Sequence, residues 1–193
     1  MIAQTENKTY TTQEYLELEI ASETRNEYRN GEIIPMTGGT PNHNDISSNL
    51  VVALKLALKG KPYRTFITDQ RLWIPEVSLY TYPDVMVLPK PIALQIGRTD
   101  TVVNPCFIAE VLSKSTRNYD SGEKFAAYRT IPTFQEYLLI EQYRIHVEHF
   151  VKTDAHQWLF SEYDDPNITL SFKAFEFQIQ IADIYENIDF TSP

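Results

Sequence analysis

The chain has 193 residues, of which 17 are basic and 26 acidic, so its formal net charge at pH 7 is −9. This length suits one domain with a full core, and 42% hydrophobic with 22% charged residues is ordinary for a globular protein. Because acidic residues outnumber basic ones, the chain does not have the overall positive charge that is usual for nucleic-acid-binding proteins. The single cysteine, Cys106, excludes an intrachain disulfide and argues against a cysteine-based zinc site.

The polar N-terminus and the lengths of the apolar runs indicate the cellular location of the protein. Residues 1–10 lack the apolar segment of a secretory signal. No run approaches the ~20 apolar residues of a membrane span. We therefore expect a disordered tail over residues 1–10, a single domain over residues 11–186, no membrane association and a cytoplasmic location.

The domain begins with signals for a short helix and a hairpin. Thr11 or Thr12, followed by Glu14, has the pattern of a capping box and predicts a helix to about residue 18. Asn30–Gly31 lies between two strand-like runs. It predicts a tight hairpin, because both central residues of such a turn need a positive φ.

A longer helix should follow the hairpin. Thr40 is a natural N-cap, and Pro41 suits the first turn because its missing N–H would have no partner there. Apolar residues then recur at helical spacing as far as Lys59.

Downstream of that helix, most segments have the length and composition of strands. We predict strands over residues 65–75, 82–88 and 107–112, and a helix over residues 120–128. The remaining chain predicts strands over residues 135–140, 143–151, 157–163 and 168–172, closed by a short helix at 183–185. This order of elements indicates one α/β or α+β domain.

The two central strands each carry one carboxylate inside an apolar run, Asp84 in YPDVMVL and Glu110 in CFIAEVL. An ionised carboxylate among apolar neighbours is costly unless it is paired, so two on successive strands suggest a shared divalent cation. If the strands are neighbours in register, both side chains project to one side of the sheet. The alternative is a turn hydrogen bond for Asp84 and a surface lysine as the partner of Glu110.

An ordered series of short motifs surrounds these carboxylates between Thr11 and Tyr185. In chain order they are Arg25-x-Glu27-Tyr28-x-x-Gly31-Glu32, His43 at a helix start, Tyr82-Pro83-Asp84-Val85, Asn104-Pro105, Glu110-Val111-Leu112-Ser113-x-Ser115-Thr116, Asp120-x-x-x-Lys124-x-x-x-Tyr128 and Glu136-Tyr137. The series resembles the Uma-type restriction-endonuclease family of the PD-(D/E)XK nuclease superfamily.

The resemblance implies a restriction-endonuclease-like core, with a mixed central β-sheet flanked by helices and extra antiparallel strands. It implies Mg²⁺ or Mn²⁺ held by Asp84, Glu110 and the backbone carbonyl of Val111, and hydrolysis of phosphodiester bonds in DNA. Such an ion polarises the phosphodiester and lowers the pKa of bound water. Because cutting both strands favours paired sites, we also expect a homodimer.

The chain departs from the superfamily pattern at one position. The pattern has a lysine two residues after the second carboxylate, where this chain has Leu112. Lys124 matches the family's own Asp-x-x-x-Lys spacing and is our first candidate for the missing cation, with Lys114 the second. The alternative for Lys124 is an exposed helix residue paired with Asp120.

Five further residues are weaker candidates. His43 opens a helix whose N-terminus attracts anions. Glu27 and Glu32 flank the hairpin turn, and solvent exposure is the favoured interpretation for both. Arg71 could contact phosphate, and Tyr128 is expected to lie in the core beside Lys124.

Three functions are compatible with these observations. The first is a metal-dependent DNA endonuclease. The second is a nuclease fold without activity that serves as an interaction or regulatory module, which Leu112 and the acidic charge favour. The third is a phosphodiesterase for RNA or small nucleotides, which uses the same chemistry without a basic surface.

Overall fold

The computed structural model describes residues 8–191, which form three β-sheets with helices packed around them. The helices are α1 (Thr12–Ala21), α2 (Pro41–Ala57), α3 (Arg117–Tyr119), α4 (Phe125–Tyr128) and α5 (Ile181–Ile184), and a π-helical turn, Asp120–Lys124, joins α3 to α4. The strands are β1 (Asn26–Arg29), β2 (Glu32–Pro35), β3 (Tyr63–Ile67), β4 (Arg71–Ile74), β5 (Leu79–Thr81), β6 (Val85–Pro89), β7 (Thr101–Val102), β8 (Phe107–Leu112), β9 (Glu136–Glu141), β10 (Val147–Lys152), β11 (Trp158–Tyr163), β12 (Thr169–Phe172) and β13 (Phe177–Gln180). None of the helices in this part of the chain is long and apolar enough to cross a membrane.

A six-stranded mixed sheet forms the centre of the molecule, in the order β11-β10-β9-β8-β6-β3. The pairing of β8 with β9 is parallel and the other pairings are antiparallel. Both faces of β6 and β8 are buried, which explains their nearly continuous apolar sequences. The predicted mixed central sheet with flanking helices and additional antiparallel strands is confirmed.

The two faces of the central sheet belong to separate cores. On one face α2 packs with the β12–β13 hairpin and α5 against Val85, Val87 and Ala109. On the other face Met86 and Ile108 contact α4 and the strands of a second sheet. Because Met86 and Ile108 are register partners, the alternation of side chains puts Asp84 and Glu110 opposite each other, on this second face.

The second sheet has five strands in the order β2-β1-β5-β4-β7. It contains the predicted hairpin, in which Asn30 and Gly31 have φ values of 47° and 100°. The capping box at the start of α1 is formed by Thr11 and Glu14. The helix packs on this sheet through Tyr15, in an aromatic cluster that also contains Tyr28 and Tyr80.

The single strand predicted over residues 65–75 is wrong. The segment forms two strands in different sheets, β3 in the central one and β4 in the second one. A polar turn separates them, with the Gln70 N–H donating to the Ile67 carbonyl over 2.9 Å. The strands β5, β7 and β13 were not predicted from the sequence, and each is only two to four residues long.

The predicted disordered tail lies mostly outside the described residues. Its last member, Tyr10, is fixed to the hairpin: its N–H donates to the Gly31 carbonyl over 2.9 Å. Its own carbonyl accepts a 3.0 Å hydrogen bond from the Tyr28 hydroxyl. The ordered domain therefore begins before residue 11.

We predict that Gly31→Ala destabilises the protein by about 1–2 kcal/mol, because an L-residue is strained at this left-handed φ. An added Cβ would also lie 2.5 Å from Cγ2 of Thr9. Urea unfolding followed by circular dichroism measures the change. Gly38→Ala is the matched control, since no atom lies within 4 Å of its added Cβ, and its free energy of unfolding should change by less than about 0.5 kcal/mol. Equal losses in the two variants would contradict the argument.

Candidate active site

Asp84 and Glu110 meet where β6 and β8 pair. Asp84 directly precedes β6, and its backbone N–H donates to Oε2 of Glu110 over 3.2 Å. In return, Oδ2 of Asp84 accepts a 2.8 Å hydrogen bond from the N–H of Val111. The two residues are 9% and 3% exposed. The two acidic residues predicted from separate apolar runs are therefore buried neighbours.

Lys124 lies against the same pair of carboxylates and is only 7% exposed. Its ammonium is 3.1 Å from Oε1 of Glu110, 3.3 Å from Oε1 of Glu27 and 3.4 Å from Oδ1 of Asp120. The interpretation as an exposed helix lysine is therefore wrong, although its contact with Asp120 exists. Position 112 is a leucine, and the ammonium beside the carboxylates comes from the π-helical turn that follows β8.

A π-helical turn places Lys124 beside the carboxylates. It spans Asp120–Lys124 and buries both of its end residues. Such turns break the regular hydrogen-bond ladder, and they occur often at functional sites. Here the carbonyl of Asp120 accepts a 3.0 Å hydrogen bond from the buried hydroxyl of Tyr137. The irregular backbone is thus stabilised by the neighbouring strand β9.

Glu27 also belongs to the cluster, so the solvent exposure predicted for it is wrong. It is buried, and its Oε1 also accepts a hydrogen bond from the Thr81 hydroxyl. Thr81 is its neighbour because β1 pairs with β5 with Tyr28 opposite Tyr80. The only sequence signal was the motif Arg25-x-Glu27-Tyr28, since the pairing partner lies 54 residues away.

Two further side chains hold the paired carboxylates in place. The Tyr128 hydroxyl donates to Oε1 of Glu110 over 2.6 Å, so this predicted core residue has a polar role as well. Nε2 of His43 lies 3.1 Å from Oδ2 of Asp84. His43 reaches this point from the first turn of α2, which the Thr40 hydroxyl caps by accepting the His43 N–H.

The remaining candidates lie outside this cluster. Lys114 is exposed, with its ammonium 5.2 Å from the centre of the Tyr143 ring. Glu32 is exposed on β2. Arg71 is buried in an ion pair with Asp100, at 2.6 Å. None of the three contacts Asp84 or Glu110.

Burial and neighbouring charge shift several pKa values in the cluster. Burial raises the pKa of Glu110 to about 8; the Lys124 charge opposes this shift and the Asp84 charge adds to it. Burial likewise raises the pKa of Asp120. For Lys124, burial works to lower the pKa, but the carboxylates of Glu110 and Glu27 outweigh it and raise the pKa well above the usual value. Lys124 is therefore a permanent cation.

His43 follows the same pattern. Burial works to lower its pKa, and the hydrogen bond to Asp84 together with the charges of Asp84 and Glu110 raises it overall. A protonated imidazole at this position places a second positive charge against the carboxylate pair.

The donor chemistry of the cluster fits a hard divalent cation. Carboxylate oxygens are the ligands that Mg²⁺ and Mn²⁺ prefer, and Mg²⁺ is usually held by one or two carboxylates with several waters and substrate phosphates. Among residues 8–191, however, no three His, Cys, Asp or Glu side chains are already arranged as a metal-binding group. Asp84 and Glu110 are the two carboxylates that could serve such an ion.

The family model described as "Putative restriction endonuclease", named Uma2, matches residues 12–183. The chain belongs to the Uma2 family. The family resemblance drawn from the motifs is thereby confirmed.

Two relatives and a solved structure are similar to this chain over most of its length. "Uncharacterized protein sll1609" of Synechocystis sp. is 42% identical over 165 residues, covering 86% of this chain and 93% of its own length. "Uncharacterized protein slr1290" of the same organism is 32% identical over 178 residues and covers 92% of each chain. A crystal structure from Anabaena variabilis, titled as a "putative nuclease belonging to DUF820", aligns with a TM-score of 0.74 at 20% identity, covering 91% of this chain and 97% of its own. At that identity the alignment establishes the shared fold.

We predict that Lys124→Met lowers the free energy of unfolding by about 3–5 kcal/mol, because it leaves buried carboxylates without their shared cation. Adding Glu27→Gln should recover part of this loss, so the two substitutions should be non-additive by about 0.5–3 kcal/mol. Urea unfolding of the single and double variants measures both effects. The exposed Lys114→Met is the control and should change stability by less than about 0.5 kcal/mol. Strict additivity would show that Lys124 and Glu27 do not interact.

Proposed function

We propose that this Uma2 protein is a Mg²⁺- or Mn²⁺-dependent nuclease that hydrolyses phosphodiester bonds of DNA. The proposal rests on the position of the Lys124 ammonium, which lies 3.1 Å from Oε1 of Glu110. Phosphodiester hydrolysis needs positive charge where negative charge grows in the transition state. A chain that keeps both carboxylates and brings a buried lysine to them from another element retains the parts that this chemistry needs.

In this proposal Asp84, Glu110 and the backbone carbonyl of Val111 would hold the metal ion. When bound, the ion would polarise the phosphodiester and lower the pKa of bound water. The Val111 N–H and His43 fix the Asp84 carboxylate, and the Tyr128 hydroxyl fixes Glu110. These contacts orient the ligands before the substrate arrives.

Lys124 has the role of the catalytic cation. It stays protonated because three carboxylates surround it, so it donates charge and hydrogen bonds and does not act as a base. Glu27 and Asp120 position its ammonium beside Glu110. Leu112, which occupies the usual lysine position, lies in the apolar core, where it excludes water from the base of the site.

The second candidate function is an interaction or regulatory module built on an inactive nuclease fold. The net charge of −9 favours it, because DNA would approach an acidic surface. The lysine inside the carboxylate cluster favours the nuclease. RNA or small nucleotides as substrates would fit the same site and the acidic surface, so the test includes them. The cytoplasmic location and the homodimer expected from the sequence belong to this proposal as well; light scattering tests the dimer.

We predict that the purified protein cleaves plasmid or linear DNA in the presence of Mg²⁺ or Mn²⁺, followed on gels beside single-stranded DNA and RNA. Lys124→Met should reduce the rate by a factor of about 10² or more, because preorganised charge of this kind contributes that much. Lys124→Arg, which keeps the charge, should retain more activity. Assays are run well below the melting temperature of each variant, since Lys124 is buried. Lys114→Ala should cleave like the parent protein.

Two outcomes would overturn the assignment. Activity that survives Lys124→Met and disappears in Lys114→Ala would make the exposed lysine the catalyst. Failure to cut any of these substrates with either metal would favour the inactive module.

We also predict that Mg²⁺ or Mn²⁺ raises the melting temperature, because an ion that binds only the folded protein stabilises it by mass action. Differential scanning fluorimetry over a metal titration measures the shift. It should be lost in Asp84→Asn and in Glu110→Gln. Asp154→Asn, an exposed carboxylate in the turn between β10 and β11, is the control and should keep the shift. Unchanged stabilisation in both site variants would mean that the ion binds elsewhere.

A further inference from the structure

The strand β11 forms one edge of the central sheet, and its outer side has unpaired backbone groups. On its inner side it pairs with β10 in antiparallel register, with Phe160 opposite Phe150. The Thr153 N–H donates to the Gln157 carbonyl over 3.0 Å, so the odd-numbered residues of β11 exchange hydrogen bonds with β10. The even-numbered residues therefore direct their N–H and C=O groups outward. Within residues 8–191 these outward groups have no hydrogen-bond partner.

The side chains along this edge do not protect it from pairing with another strand. Edge strands of soluble proteins usually carry charged residues, lysine above all, or proline, which discourage such pairing. The strand at the opposite edge of the sheet, β3, has the exposed Arg64. In contrast, β11 has no basic residue and no proline, and its Leu159 and Phe160 are 52% and 47% exposed. This edge is therefore open in its backbone and apolar in its side chains.

Phe160 ends a row of side chains that crosses the second face of the central sheet. The members of the row are register partners on five neighbouring strands, Met86, Ile108, Tyr137, Phe150 and Phe160. The ring centres of Phe150 and Phe160 are 4.8 Å apart. The Phe160 ring thus has an aromatic partner on its inner side and none on its outer side among the described residues. An aromatic ring on one further strand would continue the row.

We propose that a second copy of this chain covers this edge, with the two β11 strands paired antiparallel about a two-fold axis at Phe160. In this register Phe160 lies opposite itself, and Trp158 lies opposite Glu162 of the second copy. The outward groups of all three residues are then matched, whereas a shift by two residues leaves Trp158 without a partner in the strand. The pairing requires no nuclease activity, and it gives the homodimer expected from the sequence a definite surface.

The polar residues at the two ends of β11 favour a second copy in this direction. Glu162 and Asp164 lie at one end, with side chains 56% and 70% exposed. Lys152 and His156 lie at the other end, where the carboxylate of Asp154 already accepts the His156 N–H over 2.7 Å. The antiparallel pairing places Glu162 two strand spacings, about 10 Å, from the backbone of Lys152 in the second copy, within reach of its side chain. A parallel pairing would instead place Glu162 beside its own copy, and like charges there are unfavourable.

A shallow groove of about 600 Å³ beside the start of β11 can receive the chain that follows Glu162 in the second copy. Its wall includes the exposed polar residues Thr153 and His156. In the proposed register Asp164 of the second copy comes opposite His156. Oδ1 of Asp164 is bonded to Nδ1 of His146 over 2.5 Å, and its Oδ2 has no partner among the described residues. The carboxylate is thus held in place with one oxygen available to the other copy.

The oligomeric state of the full chain tests this interface without metal or nucleic acid. Sedimentation velocity over a concentration series should show a dimer for the parent protein. Phe160→Lys should weaken the dimer by about tenfold or more, because it removes the central ring and sets two ammonium groups opposite each other. Ile67→Lys is the matched control. Ile67 is a 49% exposed apolar residue on β3, at the opposite edge of the same sheet, and its substitution should leave the dimer intact.

A mixture of two variants tests the register and does not depend on the stability of either one. In the proposed pairing Phe160 is the residue of β11 that lies opposite itself. Phe160→Glu should therefore be monomeric like Phe160→Lys, and an equimolar mixture of the two should form a dimer with one copy of each. Circular dichroism verifies that both variants are folded.

A parent protein that stays monomeric throughout the concentration series would overturn the proposal. A dimer that Phe160→Lys leaves intact, or that Ile67→Lys disrupts, would overturn it as well. The same holds for a mixture of the Lys and Glu variants that remains monomeric. Because the measurement involves no metal and no cleavage, failure of the nuclease assay leaves it unaffected, and failure here leaves the nuclease assay unaffected.

Discussion

Three carboxylates from three separate parts of the fold meet the ammonium of Lys124 inside the protein. Glu27 comes from the second sheet, Glu110 from the central sheet and Asp120 from the connecting helix. Buried charges are tolerated only when they are paired and hydrogen-bonded. The relative positions of the two sheets and the helix therefore depend on this single cation. The same requirement explains the π-helical turn, which brings Asp120 and Lys124 to the interior together.

A leucine at position 112, with Lys124 on the following π-helical turn, has a packing consequence. Position 112 points into the apolar core that Tyr128 and Met86 also line. A leucine there fills the space and keeps water out, and charges interact more strongly where water is excluded. The Lys124 ammonium lies on the face of the central sheet that α4 covers. The Tyr128 hydroxyl contacts Glu110 on the same face. The helical segment that contains Lys124 and Tyr128 thus covers the apolar residues of this face and also provides the polar contacts to Glu110.

The sequence predicted those features that local rules govern. Asn30–Gly31 forms a tight turn because both residues adopt positive φ values. Asp84 and Glu110 share a face because strand side chains alternate and because β6 and β8 are neighbours in register, a condition that the prediction had to assume. The sequence could not predict that residues 65–75 divide between two sheets, since both halves are equally apolar and the choice depends on distant partners. Glu27 was assigned to the surface for the same reason, because its burial depends on β5 and on a helix about a hundred residues later. Contacts between residues that are distant in the sequence, unlike tight turns, leave little signal in the local amino-acid sequence.

Under the proposed function, the acidic character of the chain affects how the substrate binds. Four acidic side chains, those of Asp84, Glu110, Glu27 and Asp120, share the cluster with two basic ones, Lys124 and His43, so acidic groups are in excess there. Burial raises the pKa of Glu110 to about 8, which shows how unfavourable a further bare charge is there. A phosphodiester would be repelled from this cluster until a divalent cation neutralises it. The net charge of −9 then ceases to argue against a nuclease in general. It argues instead for one whose substrate binding, and not only its chemistry, depends on the metal.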